Sequence, residues 1–135
     1  MSDPRVGLVL VSHSAAVASA VADLARGLTG GGPTAPVAAA GGDPDGGLGT
    51  NAELIAQAAH EVDEGAGVAV LVDLGSAVLT VKSLLADEDE LPPNTRLLDA
   101  PFVEGTIAAL VTASTGAPLD AVEAAAAEAY TYRKT

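Results

Sequence analysis

Two spacings of apolar residues alternate along the chain. Val6-Gly-Leu-Val-Leu-Val11 and Val68-Ala-Val-Leu-Val72 are apolar throughout, the pattern of strands buried on both faces. Leu54, Ile55, Ala58, Ala59 and Val62 instead recur at helical spacing and predict a helix over 52–63. Thr50 or Asn51 is placed to cap it. The Ala- and Val-rich stretch from Ala15 to Leu28 predicts a first helix, and Val37–Ala40 a short second strand. A helix over 77–86, a fourth strand at Arg96–Asp99 and helices over 106–114 and 118–132 complete the pattern. Gly116 separates the last two helices, and Pro118 suits a first helical turn. Alternating strands and helices imply an α/β fold with a mostly parallel sheet covered on both faces. No linker divides residues 1–135, so the chain reads as one domain without internal repeats.

The polar residues gather where strands end. Ser12-His13-Ser14 follows the first strand and opens the first helix. The glycine-rich loop from Gly41 to Asn51 follows the second, Asp73-Leu-Gly-Ser76 the third, and Ala100–Gly105 reads as a turn after the fourth. In a parallel sheet these four ends share one edge, where such folds bind ligands. A helix start offers unpaired N–H groups and a positive dipole end, a ready anion site. A histidine there is a nucleophile beside a phosphate cradle, unless it only fills the turn while Ser12 or Ser14 caps the helix. Asp73 is a candidate orienting partner for His13: a carboxylate on one ring nitrogen leaves the other free to attack. Its simpler reading is a cap for the following helix. Ser14, Gly49, Thr50, Gly75 and Ser76 are the candidate phosphate-binding residues. The glycine loop lacks the Gly-Lys-Ser/Thr of a Walker loop. Glu104 reads as first-turn charge on a helix; His60, Lys82 and Arg26 read as surface residues of helices.

Composition narrows the choice of partner. Net charge is −12 with only six Lys and Arg, so the cation cluster that duplex nucleic acid or an acidic membrane requires is missing. With no cysteine, thiolate chemistry, disulfides and Cys-based zinc sites are excluded. No metal or cofactor is expected on this chain. Aromatics make up only 2%, so the core is built from small side chains that let helices pack close to a sheet. The apolar N-terminal run is short, has no cation before it except Arg5 and is broken by His13 with its two flanking serines, unlike a signal peptide. The cytoplasm is the expected compartment. Few cations near the strand ends suit transient carriage of a phosphoryl group better than tight nucleotide binding.

Four segments then occur in the order of a known family. Val11-Ser-His-Ser14, Gly47-Leu-Gly-Thr-Asn51, Val72-Asp-Leu-Gly-Ser-Ala77 and Ala100-Pro-Phe-Val-Glu-Gly105 resemble DhaM. DhaM is the phosphocarrier subunit of the phosphotransferase-system-dependent dihydroxyacetone kinase, and its first domain is similar to mannose-family IIA domains. The resemblance spans nearly the whole chain and implies an open three-layer α/β sandwich acting as a homodimer. It maps the phosphorylated histidine onto His13 and its neighbouring aspartate onto Asp73. It implies that a phospho-HPr-type donor charges His13, which passes the phosphoryl group to ADP on a DhaL-type subunit for phosphorylation of dihydroxyacetone. Leu74-Gly75-Ser76 replaces the Trp-Gly-Gly common in mannose-type IIA domains, and Asn51 stands where some relatives carry Asp. Some DhaM chains continue into further carrier domains; for these 135 residues the donor is expected to be a separate protein or a part of the chain outside this sequence. Two other readings are a mannose-type IIA domain serving a sugar permease and a non-enzymatic small-ligand-binding or regulatory module on a flavodoxin-like fold.

Overall fold

The computed structural model describes residues 3–135. Its elements are β1 (Gly7–Ser12), α1 (Ala15–Gly27), β2 (Val37–Gly41), α2 (Ala52–Val62), β3 (Val68–Val72), α3 (Gly75–Ala86), β4 (Thr95–Leu97), α4 (Phe102–Ser114) and α5 (Leu119–Glu128). A 3-10 turn over Ala129–Thr131 follows α5. The four strands form one parallel sheet in the order β2-β1-β3-β4. Helices cover both faces, as the alternation predicts.

The apolar runs of β1 and β3 resolve into two cores. Leu8, Leu10, Ala69 and Leu71 face α1, α4 and α5, where Val21, Ala22, Leu110, Val122 and Ala126 are buried with them. Val9, Val11, Val68 and Val70 face the other way, onto Ile55, Ala59 and Val62 of α2 and Ala77 and Val81 of α3. Successive strand residues point to opposite faces, so an all-apolar run is what two covered faces require. Alanine at so many helix contacts brings helix and sheet backbones close. At Gly7 the approach is closest: a Cβ would lie 2.3 Å from the Val62 carbonyl oxygen. Among the described residues no helix is long and apolar enough to cross a membrane.

Beyond shifts of one residue, boundaries differ from expectation in four places. α3 begins at Gly75, two residues before the predicted start, with its N-terminal turn directly after Asp73. β4 is only Thr95–Leu97; Leu98 still donates to the Val70 carbonyl at 2.9 Å, whereas Asp99 lies beyond the strand. The turn expected over 100–105 is instead a helix start. Pro101 precedes the first turn of α4, and the Gly105 N–H bonds the Pro101 carbonyl at 2.8 Å. Gly105, expected to end that turn, is here a contact: a Cβ would come within 2.7 Å of the Ala100 side chain. Finally, α5 stops at Glu128 and tightens into the 3-10 turn before reaching Tyr132.

Candidate functional site

The strand order places the site. From β1 the chain moves outward to β2, then returns past β1 to β3. The carboxyl ends of β1 and β3 therefore flank the point where the winding reverses, and a crevice opens there. His13 follows β1 and Asp73 follows β3, so residues 60 apart in sequence meet across it.

Their contact is fixed from several sides. The His13 ring Nδ1 lies 3.0 Å from Asp73 Oδ1, and the His13 backbone N–H donates to Asp73 Oδ2 at 3.0 Å. The Ser12 hydroxyl donates to the same Oδ2 at 2.9 Å and accepts from the Ser14 N–H at 3.1 Å. The Leu74 N–H donates to Oδ1 at 2.7 Å. Burial pushes the Asp73 carboxyl up, but the bonds from the His13 N–H, the Ser12 hydroxyl, the His13 ring and the Leu74 N–H together outweigh it and hold it below its ordinary value. An ionised Asp73 accepts from Nδ1–H, which fixes the tautomer and leaves Nε2 with its lone pair. Nε2 meets the Ser76 hydroxyl, at the first turn of α3. The His13 side chain keeps 24% of its surface exposed, enough for another protein to reach the ring.

The starts of α1 and α3 both border this crevice. The Ser14 side chain caps α1 by accepting from the Val17 N–H at 3.2 Å. No side chain caps α3, so the first N–H groups after Leu74, those of Gly75 and Ser76, carry its positive end. The glycine-rich loop across the edge holds the His13 turn in place. The Gly49 N–H donates to the His13 carbonyl at 2.8 Å, and the Gly42 N–H to the Ser12 carbonyl at 3.2 Å. Asp43 ties the glycine loop together, accepting on Oδ1 from Asp45 N–H at 2.9 Å and Gly47 N–H at 2.7 Å. Thr50 pairs with Thr80 of α3 at 2.9 Å between hydroxyl oxygens. Asn51 caps α2 through Glu53 and Leu54 N–H, the role left open between it and Thr50.

The structure thus brings His13, Asp73 and Ser76 into one hydrogen-bonded chain with Gly75 beside it. Ser14, Gly49 and Thr50 lie around that chain with groups already engaged within the protein. The fourth strand end does not reach His13. Ala100, with Leu97, Leu98 and Asp99, instead lines an open cleft of about 440 Å³ that Asp73, Leu74 and Gly75 share. Sequence reasoning missed two contributors. Ser12 is buried and supports Asp73; its signal was a hydroxyl as the last residue of an otherwise apolar strand. Thr80, on the partly buried side of α3, has no local signal because its partner is 30 residues away. Residues given to structure are placed as such. His60 is exposed and its Nε2 contacts the Glu90 carbonyl at 3.1 Å. Arg26 bonds Asp23 and the Val37 carbonyl, Lys82 is exposed, and Glu104 sits in the first turn of α4 bonded to Lys134.

Comparison with known proteins places this arrangement. Residues 7–123 match the family model described as PTS system fructose IIA component. The chain is 43% identical over 122 residues to the phosphoryl donor subunit DhaM of the PEP-dependent dihydroxyacetone kinase of Pantoea ananatis, and 40% identical over 121 residues to that of Escherichia coli. Those matches cover 87% of this chain but 25% of each relative, so the chain spans about a quarter of their length. It is 35% identical over 107 residues to the DhaM subunit of a second such kinase in Listeria innocua, covering 78% of this chain and 84% of the relative. Among solved structures, the unknown-function protein EF1359 superposes with a TM-score of 0.77 at 28% identity, over 92% of this chain and 94% of that one. A sigma-54 interaction domain protein from Enterococcus faecalis shares the fold at a TM-score of 0.69 and 18% identity, over 96% and 93% of the two chains. The chain belongs to the family of PTS fructose IIA components and, within it, groups with the DhaM-type phosphoryl donor subunits of PEP-dependent dihydroxyacetone kinases.

Proposed function

We propose that residues 1–135 act as one phosphoryl-carrier unit, with His13 Nε2 as the atom that is phosphorylated. The observation that carries this is the Asp73–His13 pair: Asp73 holds Nδ1, and Nε2 faces outward beside the uncapped start of α3. The donor is a phospho-HPr-type protein, and the acceptor is ADP held on a DhaL-type subunit for dihydroxyacetone phosphorylation. The similarity to DhaM subunits favours this acceptor over a sugar permease; the chemistry on His13 is the same for both.

The geometry supports the following steps. The Ser76 hydroxyl occupies the Nε2 lone pair at rest and rotates away as the donor approaches. Nε2 attacks phosphorus in line as the donor's P–N bond breaks. Nδ1 keeps its proton, and the ionised Asp73 balances the positive charge that the ring acquires. Gly75 N–H, Ser76 N–H and the Ser76 hydroxyl then hold the phosphoryl oxygens, while Ser14, Gly49 and Thr50 border and shape the turn. In the second transfer a β-phosphate oxygen of ADP attacks, the P–Nε2 bond breaks, and the ring returns to its starting tautomer. Positioning and charge stabilisation are the domain's whole contribution. A metal ion for the nucleotide belongs to the partner, since this chain handles only the transferred group.

We also propose that the chain works as a homodimer. The Ala-rich final helix buries Leu119, Val122 and Ala126 in the core and contributes Ala125 to an outer face. α4 supplies the rest of that face: Val103, Ile107 and Val111 recur every four residues along it, next to Ala125 and Tyr132.

The decisive experiment is label transfer from phospho-HPr. The parent protein should take up phosphate in an acid-labile, alkali-stable linkage, and His13→Ala and His13→Gln should fold but stay unlabelled. His60→Ala should label like the parent. Label persisting in His13→Ala would end the mechanism. Parent label that discharges onto a IIB sugar component and not onto DhaL·ADP would move the protein to the permease reading.

A further inference from the structure

We propose that the unphosphorylated site is also a serine-type acyl-transfer centre, with Ser76 as nucleophile, His13 as general base and Asp73 as positioning residue. Ser76 Oγ meets His13 Nε2, and His13 Nδ1 meets Asp73 Oδ1 at 3.0 Å. That is the order and the choice of ring nitrogens found in serine hydrolases on unrelated folds, where geometry and not sequence position defines the triad. Further features agree. Ser76 lies just after a strand, in the first turn of a helix, exposed to solvent. Asp73 is anchored by three groups besides the ring: Ser12, His13 N–H and Leu74 N–H. The carboxylate therefore has little freedom to leave the imidazole. The Gly75 and Ser76 N–H groups stand beside the hydroxyl, and donors suited to a tetrahedral phosphoryl group also suit the tetrahedral oxyanion of acyl transfer.

The substrate class is a small activated ester. The cleft adjoining Gly75, lined by the apolar Val78, Leu97 and Leu98 and the polar Lys82, Asp99 and Tyr130, takes a short acyl group, and a net charge of −12 disfavours anionic esters. In the first step Ser76 Oγ bonds the carbonyl carbon and its proton passes to Nε2. The carbon–oxygen bond to the leaving group then breaks, and the leaving oxygen takes the proton from Nε2. Water attacks the acyl-serine in the second step, giving a proton to Nε2. Ser76 leaves with that proton, and the free acid is released.

The test needs no phosphoryl donor, so it stands apart from the carrier assay. The full chain is treated with an alkyl fluorophosphonate, adducts are mapped by peptide mass spectrometry, and hydrolysis of p-nitrophenyl acetate is followed in parallel. One adduct at Ser76 is expected, and labelling should slow on the order of 10²-fold or more in His13→Ala and in Asp73→Asn, as when an assisting group is removed. Ser76→Ala should lose both adduct and ester turnover. An unmodified Ser76, an adduct on His13 instead, labelling indifferent to His13→Ala, or ester turnover retained by Ser76→Ala would each overturn the proposal.

Discussion

Asp73 accepts four hydrogen bonds on two oxygens, and this saturation makes it sensitive to a change of one atom. An asparagine there has one oxygen and one NH₂. Either way round, its NH₂ faces two donors, so one side of the cluster is lost. Asp73→Asn should fold yet transfer phosphate more slowly by about 10²-fold or more, read as the rate of label uptake from phospho-HPr. Parent-rate transfer would reduce Asp73 to a structural tie between the His13 turn and Leu74. The depressed carboxyl also has a stability signature. A carboxyl whose pKa is lower folded than unfolded contributes its full stability above the unfolded value of about 3.9 and loses it as pH falls toward the folded value. The parent should therefore lose urea stability below about pH 4 more steeply than Asp73→Asn. Equal slopes would mean that the four bonds do not favour the ionised form.

At the scale of elements, the site depends on how closely β2 approaches the start of α1. Gly41 ends β2 opposite Ser12 in the sheet register. A Cβ on it would lie 2.5 Å from the Ser14 carbonyl oxygen and 2.8 Å from Ala15 Cα, both backbone atoms with no rotamer to yield. Gly41→Ala should cost about 1–3 kcal/mol in denaturant titration, the usual range for overpacking, and should slow label uptake by shifting the His13 turn. Gly32→Ala, with open space around it, is the control and should do neither. Gly41 reads in sequence as the first residue of a flexible loop; its partner in space is 27 residues back, so nothing local marks it as a contact. The same reason divides what sequence made legible from what it did not. The strands β1 and β3 and helix α2 follow from apolar spacing, and His13, Asp73 and Ser76 from their places at strand ends. Ser12 beneath Asp73, Thr80 against Thr50 and the early start of α4 depend on packing between distant segments, which periodicity does not encode.

At the scale of the molecule, two exposed regions differ in character. The edge bearing His13 is exposed, while α4 carries the apolar stripe of Val103, Ile107 and Val111. Sedimentation at micromolar concentration should give a dimer, and Val111→Glu should shift it toward monomer without changing label uptake. A parent that sediments as a monomer would remove the α4 interface and leave the carrier chemistry untouched. The all-parallel sheet has one more consequence, for the order of events in folding. Parallel neighbours need long crossovers, so no hairpin assembles any part of the site early. The pairing of β1 with β3 encloses all of α1, β2 and α2, and only then do His13 and Asp73 meet. Closing so long a loop is slow compared with forming helices. During synthesis or refolding the chain gains its helical content before His13 and Asp73 meet, and their contact is itself the sign that β1 and β3 have paired.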